Sequence, residues 1–263
     1  MFLLDPLTHA LAALIAATHT ALTSLGADPS SGTSWLLGIA AVVVTVRLAL
    51  LPLVAHGVRL AHASARARPH LHDLAKRYRN RRDPESARRL LEERRRIGAE
   101  HGMPRLGCLP LLIQLPIWLA LYQLLADVAA GVPVGAMTSE LVASLGAATL
   151  LGVPLAERGY LAAGGAHLAV VAGMACAAAA LTFVTQRYLV ATNTVTDGLP
   201  EAIGRAQQIM PALSALGLIV AGGLVPMALL AYWVFSSAWT MGQAAIIWRW
   251  FPTPGSPADA RAR

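Results

Sequence analysis

Residues 209–248 form an apolar run of about 40 residues, roughly twice what one helix needs to cross a bilayer. The stretch 222-GGLVP-226 interrupts it, so two crossing helices, 209–223 and 226–248, are expected with a tight turn between them. Further runs of crossing length lie at 35–56, 108–130 and 166–188. The chain as a whole is 56% apolar and 13% charged, with a mean hydropathy of +0.56, well outside the usual soluble range. The expected fold is an all-α membrane protein with five transmembrane helices, and it leaves room for no second globular domain. Cys108 and Cys176 lie in or beside apolar runs, which points to neither a disulfide framework nor a metal cage.

Where the charges fall orients the spans. The net charge is +7, and residues 57–107 hold 14 of the 21 Lys and Arg residues, with six acids interspersed. Two polar helices folded into a hairpin, about 58–80 and 84–100, account for this stretch. Asp83 is the expected N-cap and Pro84 the first helical position of the second. Basic loops stay on the cytoplasmic side. That puts the hairpin inside and the N-terminus outside. It places 131–165 outside, 189–208 inside, and the tail 249–263, read as short and disordered, inside. Residues 1–34 read as an extracytoplasmic interfacial helix followed by the loop 26-GADPSSGTS-34. No Lys or Arg precedes Arg47, so this start lacks the basic opening of a signal peptide.

Arg47 is the anomaly. It lies inside 42-VVVTVRLALLPLV-54, nine residues before His56, which is roughly 13 Å from the cytoplasmic end of the first span. Placing Arg near a span centre costs about 2.5–3.5 kcal/mol. A buried carboxylate partner or a snorkelling side chain would offset that cost. Asp127 is the only acid within a span, however, and it sits toward the outer end of the second. A water-filled pocket opening from the cytoplasm is the better reading.

The second span carries a resemblance. The string 107-GCLPLLIQLPIWLALYQLL-125 resembles the signature of the YidC/Oxa/Alb membrane protein insertase family. The stretch 47-RLALLPL-53 is similar to that family's first-span Arg with Pro five residues on. Pro69 falls where its first cytoplasmic helix carries a Pro. The segments 98-GAEHGMPRLGC-108, 209-IMPAL-213 and 226-PMALLAYWVFSSAWTMGQ-243 resemble the approach to the second span and the last two spans. The likeness covers about residues 35–249 and is weakest in 131–200. Met103, Ala228 and Ser237 depart from the family's usual Asn, Gly and Asn. The shape resembles the short actinobacterial type, without a long extracytoplasmic domain or a lipoprotein start.

The resemblance implies a groove within the bundle, open to cytoplasm and lipid and closed outside, with Arg47 as its positive centre. Gln114, about 9 Å into the second span, and the aromatics Tyr232 and Trp233 would line it. The groove would transiently hold the polar N-terminal tail of a nascent membrane protein while its apolar segment slides into lipid. Bland roles stand beside these: an interhelical hydrogen bond for Gln114, and packing or interface-belt positions for Tyr232 and Trp233. The resemblance implies nascent membrane proteins as partners. The Sec translocon, the ribosome and signal recognition machinery are further expected partners, with anionic lipids at the basic hairpin. No direct nucleic-acid substrate and no cofactor are expected. The implied location is the bacterial cell membrane, multi-pass.

Two rival classes are weaker. An enzyme needs a nucleophile with its base, or metal ligands. His9 and His19 are ten residues apart, roughly 280° around a helix. The histidines of the basic loop have no partners at metal spacing, and no GxSxG, HExxH or phosphate loop occurs. Neither a catalytic nor a metal residue is therefore assigned. A small polytopic transporter or channel is the alternative. It needs a path open to both sides with ionisable groups along it, and here one Arg stands nearly alone.

Overall fold

A computed structural model describes residues 4–79, 83–102, 109–160, 164–195 and 201–262, with side chains at 109–111 and 201–203 also set aside. Met103, Cys108 and Asp197, and with them part of the approach to the second expected span, lie outside the described residues. The described chain is mostly helical, with one pair of two-residue β-strands as its only sheet. Three of its helices are long and apolar enough to cross a membrane: Gly32–Ala49, Leu112–Ala129 and Gly165–Asn193.

Helix α1 (Asp5–Ser24) starts on Pro6 with Asp5 in its first turn. Its buried residues Thr8, Leu11, Ala12, Ile15, Ala16 and His19 recur every three or four positions, which makes one apolar stripe. That stripe packs on α2 (Gly32–Ala49) and α5 (Leu109–Ala129), so α1 is built into the bundle on one side. Ser31 caps α2 by accepting from the Ser34 amide at 3.2 Å.

The first expected span was bounded at His56, but the backbone has no break there. The break falls at Leu50, between α2 and α3 (Leu51–Tyr78). Pro52 explains it: the residue has no N–H for the Leu48 carbonyl, and its ring crowds that carbonyl. From there α3 continues unbroken for 28 residues, through Pro69. It packs on α4 (Pro84–Glu100), with the Tyr78 hydroxyl donating to Glu93 at 2.9 Å and the His70 and His101 rings 5.0 Å apart. Asp83 caps α4 by accepting from the Ser86 amide at 2.8 Å, and Pro84 follows it. Asp83→Ala is expected to cost α4 about 1 kcal/mol. Amide exchange at Ser86 and Ala87 should then run about fivefold faster, read by hydrogen exchange; unchanged rates would show that the cap is redundant.

Segment 131–165, expected to be a Gly-rich loop, contains structure. It holds α6 (Ser139–Ala147), capped by Thr138, and the pair β1 (Thr149–Leu150) and β2 (Val153–Pro154). These pieces form a cap over the ends of α2 and α9 (Met227–Trp250). Gly32 is required under it, because a Cβ there would lie 1.9 Å from the Thr149 carbonyl oxygen. The cap also resolves a backbone problem. Helix α9 begins after Pro226, which leaves its first N–H groups without intrahelical partners. The Met227 amide donates to the Glu157 carbonyl at 3.0 Å, and the Ala228 amide to Leu155 at 2.9 Å.

Helix α7 (Gly165–Val184) runs on through a widened π turn, Thr185–Val190, and a short 3₁₀ turn, Ala191–Asn193. Helix α8 (Glu201–Gly222) packs on α7 and ends at the expected turn. There Gly223 makes room for Tyr160, whose ring a Cβ would approach to 2.6 Å. The tail, read from sequence as disordered, instead folds back as α10 (Pro257–Ala262). The Asn193 side-chain oxygen accepts from the Thr253 amide at 2.7 Å, and the Trp248 indole donates to Thr192 at 3.0 Å. Thr253, Ser256 and Ala258 are buried by this docking.

Candidate functional site

Arg47 occupies the last turn of α2, just before the Leu50 break. Its Nη2 donates to the Ser236 hydroxyl of α9 at 2.7 Å. The Tyr232 side chain meets the same hydroxyl from one turn earlier on α9 and lies within electrostatic reach of the guanidinium. Spacing explains the grouping: positions 232, 236 and 240 stack on one face of a helix. The Thr240 hydroxyl donates to the Ser236 carbonyl at 2.8 Å, the usual back-bond of a helical Thr. A second contact one residue on, Thr182 with Ser237 at 3.2 Å, ties α9 to α7.

No carboxylate lies within 4.0 Å of Arg47 among the described residues, where the ion pairs are confined to α4 and to His167 with Glu157. Asp127 does not reach it. The Ser236 hydroxyl stands where the salt-bridge reading needed an acid. Arg47 is half-buried.

Of the four expected site residues, two come together. Tyr232 is buried beside Arg47. Trp233, about 100° further round α9, packs against the apolar core. Gln114 is half-buried on α5, and no hydrogen bond joins it to Arg47, Ser236 or Tyr232. Ser236 was missed. Its signal was the spacing Tyr232, Ser236, Thr240 within an otherwise apolar helix, and serines in such helices commonly bond their own backbone instead.

The family model described as 60Kd inner membrane protein matches residues 27–254, most of the chain. The chain belongs to this family, the YidC/Oxa/Alb family. Among its relatives, "Membrane protein insertase YidC" of Streptomyces avermitilis is 32% identical over 245 residues, covering 89% of this chain and 55% of the relative. The protein of the same name from Tropheryma whipplei strain Twist is 26% identical over 268 residues, covering 97% and 86%. That of Corynebacterium efficiens is 27% identical over 275 residues, covering 93% and 68%. The chain thus spans just over half of the Streptomyces relative's length and most of the Tropheryma one's. These relatives are named insertases, and the family is not one of catalytic enzymes. Family membership and the apolar helices together make this YidC/Oxa/Alb member a multi-pass bacterial membrane protein.

Proposed function

We propose that the chain is a membrane protein insertase and chaperone that admits nascent membrane proteins through a hydrophilic groove centred on Arg47. The observation that carries this reading is a cation in an apolar helix held by a serine hydroxyl, with no carboxylate within 4.0 Å of it among the described residues. An Arg paired to an acid would be spent on structure. One held only by hydroxyls keeps its charge for a passing anionic group.

Five spans, α2, α5, α7, α8 and α9, form the membrane domain in this reading. Helix α8 is less apolar than the other spans because its first turns carry the exposed Arg205, Gln207 and Gln208, and α9 because it carries Ser236, Ser237, Thr240 and Gln243. The α3–α4 hairpin and the tail are cytoplasmic, and α1 with the 131–165 cap is outside. The cap closes the outer end, so the groove opens only to the cytoplasm and to lipid. Tyr232 lines it beside Arg47, and Gln114 and Trp233 are assigned to its walls by the family resemblance. An acidic client tail is drawn in by Arg47 and driven across by the membrane potential, worth about 2.3 kcal/mol per charge per 100 mV. The apolar segment follows into lipid by partitioning alone. The Sec translocon, the ribosome and signal recognition machinery are partners that deliver such clients, and anionic lipid holds the basic hairpin at the membrane surface.

The test is insertion of a fluorescent client into vesicles that contain only this protein. Insertion above empty vesicles is expected, and solute flux without insertion would replace this reading with a transporter. Orientation has its own check. With Cys108 and Cys176 replaced, single cysteines at Ala99 and Ala202 should be labelled only from the cytoplasm, and one at Ala147 only from outside. Reversed labelling at any of the three breaks the five-span arrangement.

A further inference from the structure

Below the Arg47–Ser236 contact, α3 and the second half of α9 part to leave a cavity of about 930 Å³. Its walls are apolar, with Leu51, Val54 and Val58 on one side and Trp239, Ile246 and Ile247 on the other. Arg47 with Ser236 marks its upper end, and His62, bonded to the Phe251 carbonyl at 3.2 Å, marks its lower end. Along α3 the lining runs from Leu51 to His62, an advance of eleven residues or about 16 Å. Arg59 and His62 stand at the lower end. Arg59 is exposed and makes no ion pair among the described residues.

We infer that this cavity is a binding slot for one anionic glycerophospholipid, its phosphate on Arg59 at the cytoplasmic rim and one acyl chain lying between α3 and α9. Three observations carry the assignment. The slot is long and apolar along its walls and basic at one end, which is the charge and polarity order of an anionic lipid. Its length of about 16 Å matches the roughly 15 Å of one leaflet's hydrocarbon, so one acyl chain fits along it. Its volume is within the range of small-molecule sites, roughly 300–1,000 Å³. A client helix of 20 residues, about 10 Å across and 30 Å long, fills roughly 2,400 Å³, which is far too much. A free phosphate would meet only Arg59 and His62 and leave the apolar walls uncovered. The inference requires only that α3 and α9 meet lipid, so its failure would leave the insertase reading standing.

Native mass spectrometry of the full chain, titrated with phosphatidylglycerol and separately with phosphatidylcholine, reads the occupancy. One basic residue near the membrane surface contributes about 1 kcal/mol toward an anionic lipid, which is about a fivefold preference. The expected result is one retained phosphatidylglycerol per chain at that preference. Arg59→Gln should bind the two lipids equally. Gly242→Leu should bind neither, because a Cβ at Gly242 meets nothing within 4 Å and the added side chain projects into open space without disturbing the fold. Its unchanged thermal unfolding would verify that. Glycerol 3-phosphate should not compete. Equal retention of both lipids by the unmodified chain, unaltered binding by Gly242→Leu, or displacement by glycerol 3-phosphate would each overturn the assignment. So would a client segment crosslinking at Ile246 in place of lipid.

Discussion

Arg47→Ala is expected to leave the bundle folded, with a melting temperature close to that of the unmodified protein, while insertion of acidic-tailed clients falls roughly 10- to 100-fold. The stability estimate follows from two opposed terms. Removing the guanidinium relieves a burial cost of about 2.5–3.5 kcal/mol. It also removes a hydrogen bond from a charged donor to Ser236, a class of contact contributing about 1.5–3 kcal/mol. The two nearly cancel. Insertion has no such compensation, since a lost charge-assisted attraction of about 1.5–3 kcal/mol translates to the loss above. Arg47→Lys keeps the charge and one donor for Ser236, so most activity with acidic tails should remain; a planar fork is not needed when the partner is a single hydroxyl. A neutral-tailed client should respond weakly to both variants. If Arg47 were instead neutralising a buried acid, Arg47→Ala would strand that acid and cost about 3–5 kcal/mol. Thermal unfolding in detergent, measured beside insertion per folded molecule, separates the two. A strongly destabilised Arg47→Ala protein with normal insertion would sink the groove.

Arg47 was legible because a charge in an apolar run demands a reason, and so were the Asp83–Pro84 start and the 222–226 turn, each written in residues with one conformational use. Ser236 was not legible as a partner. The contact joins residues 189 apart, and nothing in a serine's own neighbourhood says which helix it faces. The fold of 131–165 was hidden for a different reason. Its turns fall on glycines, with positive φ at Gly131, Gly135, Gly152 and Gly159. What orders it, however, is backbone carbonyls meeting the start of α9, and carbonyls carry no sequence signal. The tail was misread in the same way, because its anchor is the side chain of Asn193, far away in the chain. The break at Leu50 was readable from Pro52. The expected boundary at His56 followed hydropathy instead, and polarity marks where a helix leaves lipid, not where its backbone bends.

Trp35→Ala is expected to be the most destabilising single change where α1, α2 and α6 meet. Trp35 is wholly buried and joins three elements at once. Its ring stacks on His19 of α1 with centroids 4.1 Å apart, and its indole N–H donates to Ser144 of α6 at 3.2 Å. Around it, His19 Nε2 and the Ser144 hydroxyl both donate to the Pro29 carbonyl, at 3.0 and 2.7 Å. Truncation leaves a cavity among these groups and removes the surface on which α1 and the cap converge. Core Trp→Ala changes cost about 3–5 kcal/mol, which is roughly 6–20 °C in melting temperature for a chain of this size. Trp35→Phe keeps the stack and loses only the indole hydrogen bond, so about 1 kcal/mol is expected. Insertion per folded molecule should be unchanged in both, because Trp35 sits three turns of α2 away from Arg47. That is the opposite pattern from Arg47→Ala, so the pair of variants separates the packing of α1, α2 and α6 from the proposed groove. A Trp35→Ala protein melting within about 2 °C of the parent, less than 1 kcal/mol, would mean that α1 and the cap are held by other contacts.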